Sequence, residues 1–323
     1  MNLEPMLLDP SGKDYLWGGS RLKTEYGKEL PMEPLAETWE CSAHPDGPSR
    51  IASGPFKGWS FLDALEEHPE WMGSKASNGS GFPVLIKLID AKQDLSVQVH
   101  PDDSFALRAE GDNGKTEMWY VLDAEQDARL ACGFSHEVTK QQIRKAISDG
   151  NLARYLNHTA VHRGDVFFIP PGTVHAIGGG LLIAEIQQSS NVTYRVYDYN
   201  RIGKDGKRRD LHIEKALQVM DLNAGQDLRQ KPRRVNYYPG CSREILCRCQ
   251  YFETEKIIVN LGFAFSVRET SFQVLLCIDG EAEISTDSMT RPLRFHRGKC
   301  IFLPAGTGRC HVIGTCELLK VRC

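Results

Sequence analysis

Apolar residues in this chain gather in short runs, each closed by Gly, Pro or Asp. Six such runs stand out: residues 82–89, 117–122, 165–169 and 181–186 in the first part, and 257–261 and 272–278 in the second. Runs of four to eight residues rich in Val, Ile, Phe and Leu between turn formers predict β-strands. Their number and punctuation predict an all-β fold of sandwich or barrel type.

Helical periodicity is rarer. Ser60 opens one candidate, with Leu62, Ala64 and Leu65 as its apolar content and Pro69 as its limit. A second starts at Thr139, where Thr139 and Gln142 have the spacing of a capping box and Ile143, Ala146 and Ile147 share a face before Gly150. A third spans 211–220, with Ile213, Leu217 and Met220 at helical spacing. From Leu222 to Tyr238 the chain turns polar and basic, and 223–240 reads as a linker. Two β-domains follow from this, 1–222 with a helical insert near 139–157, and 241–323.

The two halves echo one another. Gly164-Asp165-Val166-Phe167-Phe168-Ile169-Pro170-Pro171-Gly172-Thr173 matches Gly298-Lys299-Cys300-Ile301-Phe302-Leu303-Pro304-Ala305-Gly306-Thr307 in pattern. Upstream of each corner a strand ending in Asp also aligns, 117–123 against 273–279. A repeated strand–corner–strand unit predicts duplicated architecture.

Composition narrows the class without changing it. Of 323 residues, 41% are hydrophobic and 25% charged, which is ordinary globular usage. The net charge of -3 gives no basic excess for nucleic acid. No run approaches the ~18 apolar residues of a membrane span. Residues 1–5 lack the basic start and apolar core of an export signal, so a cytoplasmic protein is expected. Eight of the ten cysteines lie at or beyond Cys241, with no CxxC pair among them. Free, mostly buried thiols are expected.

Four side chains carry candidate chemistry. Gln98 and His100 are two apart, so on a strand they share a face. Glu117 opens the next predicted strand, and His175 follows the Pro-Pro-Gly corner. Taken singly, a His is more often a hydrogen-bonded core or surface residue, and a Glu at a strand start is usually solvated. Jointly, two imidazoles, a carboxylate and an amide suit a divalent metal, zinc above all. The second half serves as an internal control. There Gln273 aligns with Glu117 and Arg309 with His175, a pair unsuited to a cation, so one metal-bearing unit and one without metal are expected.

Several segments carry a family resemblance. They are Gln98-Val99-His100-Pro101-Asp102, Gly114-Lys115-Thr116-Glu117-Met118-Trp119-Tyr120, Ile169-Pro170-Pro171-Gly172-Thr173-Val174-His175-Ala176-Ile177 and the run from Gln187 to Asp198. Together with Tyr15-Leu16-Trp17-Gly18-Gly19 and Ala36-Glu37-Thr38-Trp39-Glu40, they resemble type I mannose-6-phosphate isomerase in its short bacterial form. The resemblance covers about residues 10–220; beyond 240 it is to a generic cupin-like domain.

The resemblance implies a cupin jelly roll, a double-stranded β-helix, with one zinc ion per chain and a small sugar phosphate as substrate. His100, Glu117 and His175 fall on the family's zinc ligands, and Gln98 on a fourth ligand of longer members. Arg195 falls on the active-site residue, and Lys115 beside the ligand Glu. Trp17 and Glu40 are expected to line the sugar end of the pocket. Lys115, Glu185 and a zinc-bound water or hydroxide stand as proton carriers. Arg195 stays protonated and suits charge stabilisation instead, unless it is an ordinary strand-edge residue paired with Asp198. Two other readings compete: a non-haem iron oxygenase on the same fold, and a non-catalytic sugar-phosphate-binding cupin. The missing Gly-rich phosphate loop excludes a kinase.

Overall fold

The computed structural model describes residues 3–76, 81–203 and 206–323. Met1 and Asn2, part of the expected signal-free start, lie outside them. The chain is all-β with few helices, and every ladder between named strands is antiparallel.

In the first unit, a six-stranded sheet runs in the order Val166–Ile169, Glu117–Ala124, Leu181–Gln188, Val84–Ala91, Glu37–Cys41, Ser11–Lys13. A five-stranded sheet contains Tyr194–Tyr197, Val97–Val99, His175–Ile177, Arg129–Phe134 and Leu156–Ala160 in that order. Ile89, Trp119, Val121, Leu130, Ile177 and Ile183 join the two in one core. The opposite face of the six-stranded sheet is covered as well. Ile86, Leu88, Met118 and Ile186 belong to a core shared with Val274, Leu276, Phe302 and Val321 of the second unit. A sheet covered on both sides explains why Val84–Ala91 and Leu181–Gln188 are buried at every position and read as continuous apolar runs.

The second unit is built on a ten-stranded sheet with its own core of Ile257, Val259, Leu275, Ile301, Val312 and Leu318. Two features cross the expected boundary at 223–240. The N-terminal strand Met6–Asp9 belongs to this sheet, pairing Met6 with Phe302 on one side and Leu8 with Ile51 on the other. Within the expected linker, Arg233–Tyr238 forms a strand that pairs with Cys241–Arg248. Arg233, Arg234 and Val235 are exposed there, and a solvated edge strand carries the same polar, basic composition as a linker.

Helices form where the periodicity places them: Phe61–Glu67, Lys140–Ser148 and Ile213–Val219. Thr139 and Gln142 make both capping-box bonds, and Ile143, Ala146 and Ile147 are buried. Two further helices form among the described residues, the single turn Arg21–Thr24 and Asp103–Glu110, the latter capped by the Asp102 carboxylate accepting from Phe105 N at 2.8 Å. All ten cysteines are free, eight of them buried. No described helix is long and apolar enough to cross a membrane.

Candidate metal centre and substrate cleft

Strand register sets the site. In the five-stranded sheet Arg195, Gln98, His175 and Cys132 are direct cross-strand partners and form one row. In the facing sheet Trp39, Lys87, Glu185 and Trp119 form another. Cross-strand partners project to the same side, so each row presents its side chains as a group. Glu117 enters from the start of its strand, and His100 follows directly on Val97–Val99.

Both imidazoles have a fixed orientation. His100 Nδ1 lies 2.8 Å from Val192 O, and His175 Nδ1 lies 2.9 Å from Thr173 O. A carbonyl only accepts, so each Nδ1 carries the proton and each Nε2 offers a lone pair. His100 Nε2 is 3.2 Å from Glu117 Oε1, and His175 Nε2 is 3.7 Å from Oε2. Ligand atoms of the three residues lie within 4.8 Å of one another, and all three side chains are buried. Among the described residues no other such group of His, Cys, Asp or Glu occurs. In the second unit Gln273 is buried and bonded to Ser266 O, while Arg309 is exposed.

This donor set passes the test for a divalent cation. Both Glu117 oxygens are buried without a hydrogen bond, and the ammonium beside them, Lys115 Nζ at 2.8 Å, faces Oε1 only. A buried carboxylate left this way is costly unless a cation satisfies it. Burial alone would raise the Glu117 carboxyl, but the Lys115 charge and the two imidazoles hold it well below the carboxylate range. Burial, reinforced by Lys115, pushes the His100 imidazole down to about 3, and burial lowers His175. The resting state is therefore two neutral imidazoles and one carboxylate, the protonation a metal requires. The Gln98 amide stands 3.4 Å from His175 Nε2.

Beside the cluster opens a cleft of about 230 Å³, lined by Tyr15, Trp17, Lys87, Gln98, Lys115 and Arg195 among others. Its wall also carries Glu37 and Arg209. Lys115 and Gln98 thus belong to both cluster and cleft. A larger cleft of about 770 Å³ lies between the two units and holds none of the three candidate ligands. Arg195 hydrogen-bonds Ser96 Oγ and Asp210 O, and among the described residues it has no carboxylate partner. Asp198 pairs with Arg201 and Arg209 instead.

Sequence reasoning placed two residues differently. Glu40 is fully buried away from the cleft, with its Oε2 2.6 Å from Lys28 Nζ and its Oε1 accepting from Thr38 Oγ1 at 2.6 Å. Alternation along Glu37–Cys41 puts Glu37 and Trp39 on the cleft side, with a bulge between Trp39 and Cys41. Glu185 stands behind the cleft wall, 3.2 Å from Lys87 Nζ and accepting from Trp119 Nε1 at 2.9 Å. Burial, with Glu117 nearby, raises its carboxyl. Lys87 was missed by sequence reasoning. Burial would lower it, but Glu37 and Glu185 hold its ammonium above the ordinary lysine range. A lysine inside the apolar run of 82–89 was the available signal.

Comparison with known proteins points to one family. The family model for the catalytic domain of type I phosphomannose isomerase matches residues 6–137, and that for the mannose-6-phosphate isomerase cupin domain matches 243–323. A mannose-6-phosphate isomerase of Streptococcus mutans is 44% identical over 302 residues, covering 93% of this chain and 92% of its own length. A probable mannose-6-phosphate isomerase of Bacillus subtilis is 37% identical over 98% of each chain. The crystal structure of the mannose 6-phosphate isomerase from Bacillus subtilis superposes with a TM-score of 0.90 at 34% identity, covering 98% of this chain and 99% of that one.

Proposed function

The chain belongs to the type I phosphomannose isomerase family, and on that premise we propose that it interconverts mannose 6-phosphate and fructose 6-phosphate with one zinc ion per chain. The observation that carries this reading is the convergence of His100, Glu117 and His175 beside a cleft walled by Lys87, Lys115, Arg195 and Arg209. Cations suit a phosphorylated sugar, and the cluster stands where a carbonyl end can reach it.

Isomerisation moves one proton between C1 and C2 through an enediol or enediolate. His100, Glu117 and His175 would hold the zinc, with the Gln98 amide beside them. When bound, zinc supplies Lewis acidity toward the carbonyl and its neighbouring hydroxyl oxygen. The chain's own groups divide the remaining work. Arg195, permanently charged and without a carboxylate partner, stabilises negative charge on the enediolate oxygens. Lys87, held as an ammonium by its two carboxylates, orients hydroxyl groups and is a poor base. Lys115 lines the cleft with a single carboxylate neighbour, Glu117, where Lys87 has two, so it is assigned the proton transfer: its neutral amine takes the proton from one carbon and the resulting ammonium returns it to the other. Glu185 acts through Lys87. Trp17 forms the apolar part of the wall, 5.5 Å from the Tyr15 ring.

The test is a coupled assay of mannose 6-phosphate turnover beside metal analysis. Turnover should vanish on chelation and return with zinc. Full activity in a metal-free sample, or no turnover in a zinc-loaded one, would refute the assignment.

A further inference from the structure

We propose that Tyr251, in the turn between strands Cys241–Arg248 and Glu253–Val259 of the second unit, is a positioning residue for Lys115 and Glu117, acting through Asp103. The inference rests on the isomerase reading for its kinetic consequence, but not for its structural one.

Three successive backbone donors hold the segment that leads into Glu117. Gly114 N donates to Asp103 Oδ1 at 2.9 Å, Lys115 N to Pro101 O at 3.1 Å, and Thr116 N to Gln188 Oε1 at 2.9 Å. Gln188 Nε2 returns to the same Asp103 Oδ1 at 2.8 Å. Pro101 follows His100 directly and Asp103 stands two residues further on, so this lacing also fixes His100 relative to Glu117. The segment lies flush on the start of helix Asp103–Glu110. A Cβ on Gly114 would meet Asp103 N at 2.4 Å and the Asp102 carbonyl carbon at 2.6 Å.

One Asp103 oxygen is therefore shared by Gly114 and Gln188. The other, Oδ2, accepts from Tyr251 Oη at 2.6 Å. That bond is the second unit's grip on the lacing, and it spans 148 residues of sequence. Tyr251, Asp103 and Gln188 all line the 770 Å³ cleft between the units. Without the phenol, the Asp103 carboxylate faces that open cleft and is free to rotate toward water. Gly114 and Gln188 then lose the acceptor that fixes them, and Lys115 and Glu117 lose their setting. A bond to a charged acceptor is strong enough for its loss to be measured.

Tyr251→Phe keeps the ring and removes only the hydroxyl. In the zinc-loaded full chain, kcat for mannose 6-phosphate should fall about fivefold to tenfold with KM within about twofold. The rate at which a chelator strips zinc should rise by a similar factor. In an Asp103→Asn background, Tyr251→Phe should add no further change in either quantity, because both substitutions act on one element. Wild-type kcat and zinc loss in Tyr251→Phe would overturn the proposal, as would independent multiplication of the two effects. A lowered unfolding midpoint with unchanged kcat per folded molecule would make Tyr251 a mere clamp and also overturn it. If the wild type itself showed no turnover, the isomerase reading would fail, and the chelator rates alone would decide this one.

Discussion

Replacing Lys28 by Met removes one partner of the ion pair with Glu40 and leaves the other in place. Glu40 has no solvent exposure, and its partners are Lys28 Nζ at 2.6 Å and the Thr38 hydroxyl at 2.6 Å. Lys28 Nζ also donates to Gly298 O, across the boundary between the two units. Stripping one partner from a buried pair typically costs about 3–5 kcal/mol, because the remaining charge stays unsolvated. The double variant Lys28→Met/Glu40→Leu removes both charges at similar volume. Exchange of a buried pair for apolar residues gains about 1–4 kcal/mol or nothing. Against it stand the Gly298 carbonyl and Thr38 hydroxyl, each left unsatisfied at about 1–3 kcal/mol. The double variant should therefore sit within about 2 kcal/mol of wild type, well above the single. Urea unfolding followed by tryptophan fluorescence reads all three. Equal destabilisation of single and double, or a single-variant loss below about 1 kcal/mol, would refute the reasoning. Turnover per folded molecule of the double variant should match wild type within about twofold; a collapse would return Glu40 to the substrate cleft.

Two more outcomes are expected. His175→Ala should lose its metal, whereas Arg195→Ala should retain it and turn over about 10²–10³-fold more slowly; equal zinc loss measured in both would contradict the division of roles. Acid stability should report Asp198. Burial would raise this carboxyl, but Arg209 and Arg201 hold it below the ordinary value. A depressed carboxylate contributes stability that is present above its unfolded pKa of about 3.9 and is lost as pH falls through the lower folded one. Asp198→Asn should thus be less stable than wild type near neutrality, with the gap closing below about pH 4 in unfolding titrations.

The β fold was legible because its runs are short, apolar and punctuated, and the capping box at Thr139 because both partners are local. The ligand cluster was legible for a related reason: Gln98 and His100 are two apart on an extended segment, and His175 follows a recognisable corner. What stayed hidden was non-local. Glu37 and Glu40 are equally plausible cleft acids in sequence, and only their facing in the strand separates them. Lys87 breaks an apolar run that is buried on both faces, but its two carboxylate partners, Glu37 and Glu185, lie far away in sequence. The edge strand Arg233–Tyr238 has the composition of a linker because one side of it meets water. The Asp103–Glu110 helix has only Ala106 buried, so its apolar periodicity is faint. Tyr251 reaches Asp103 through tertiary folding alone.

The place of Met6–Asp9 between Cys300–Leu303 and Arg50–Ile51 has a consequence for how the protein folds. One of its two neighbours lies about 40 residues along the chain and the other nearly 300, so the first ladder closes over a short stretch and the second over a very long one. Until the distant strand is in place the backbone groups on that side have only water or a chaperone to bond, and closing this sheet is a slow, high-separation step of folding.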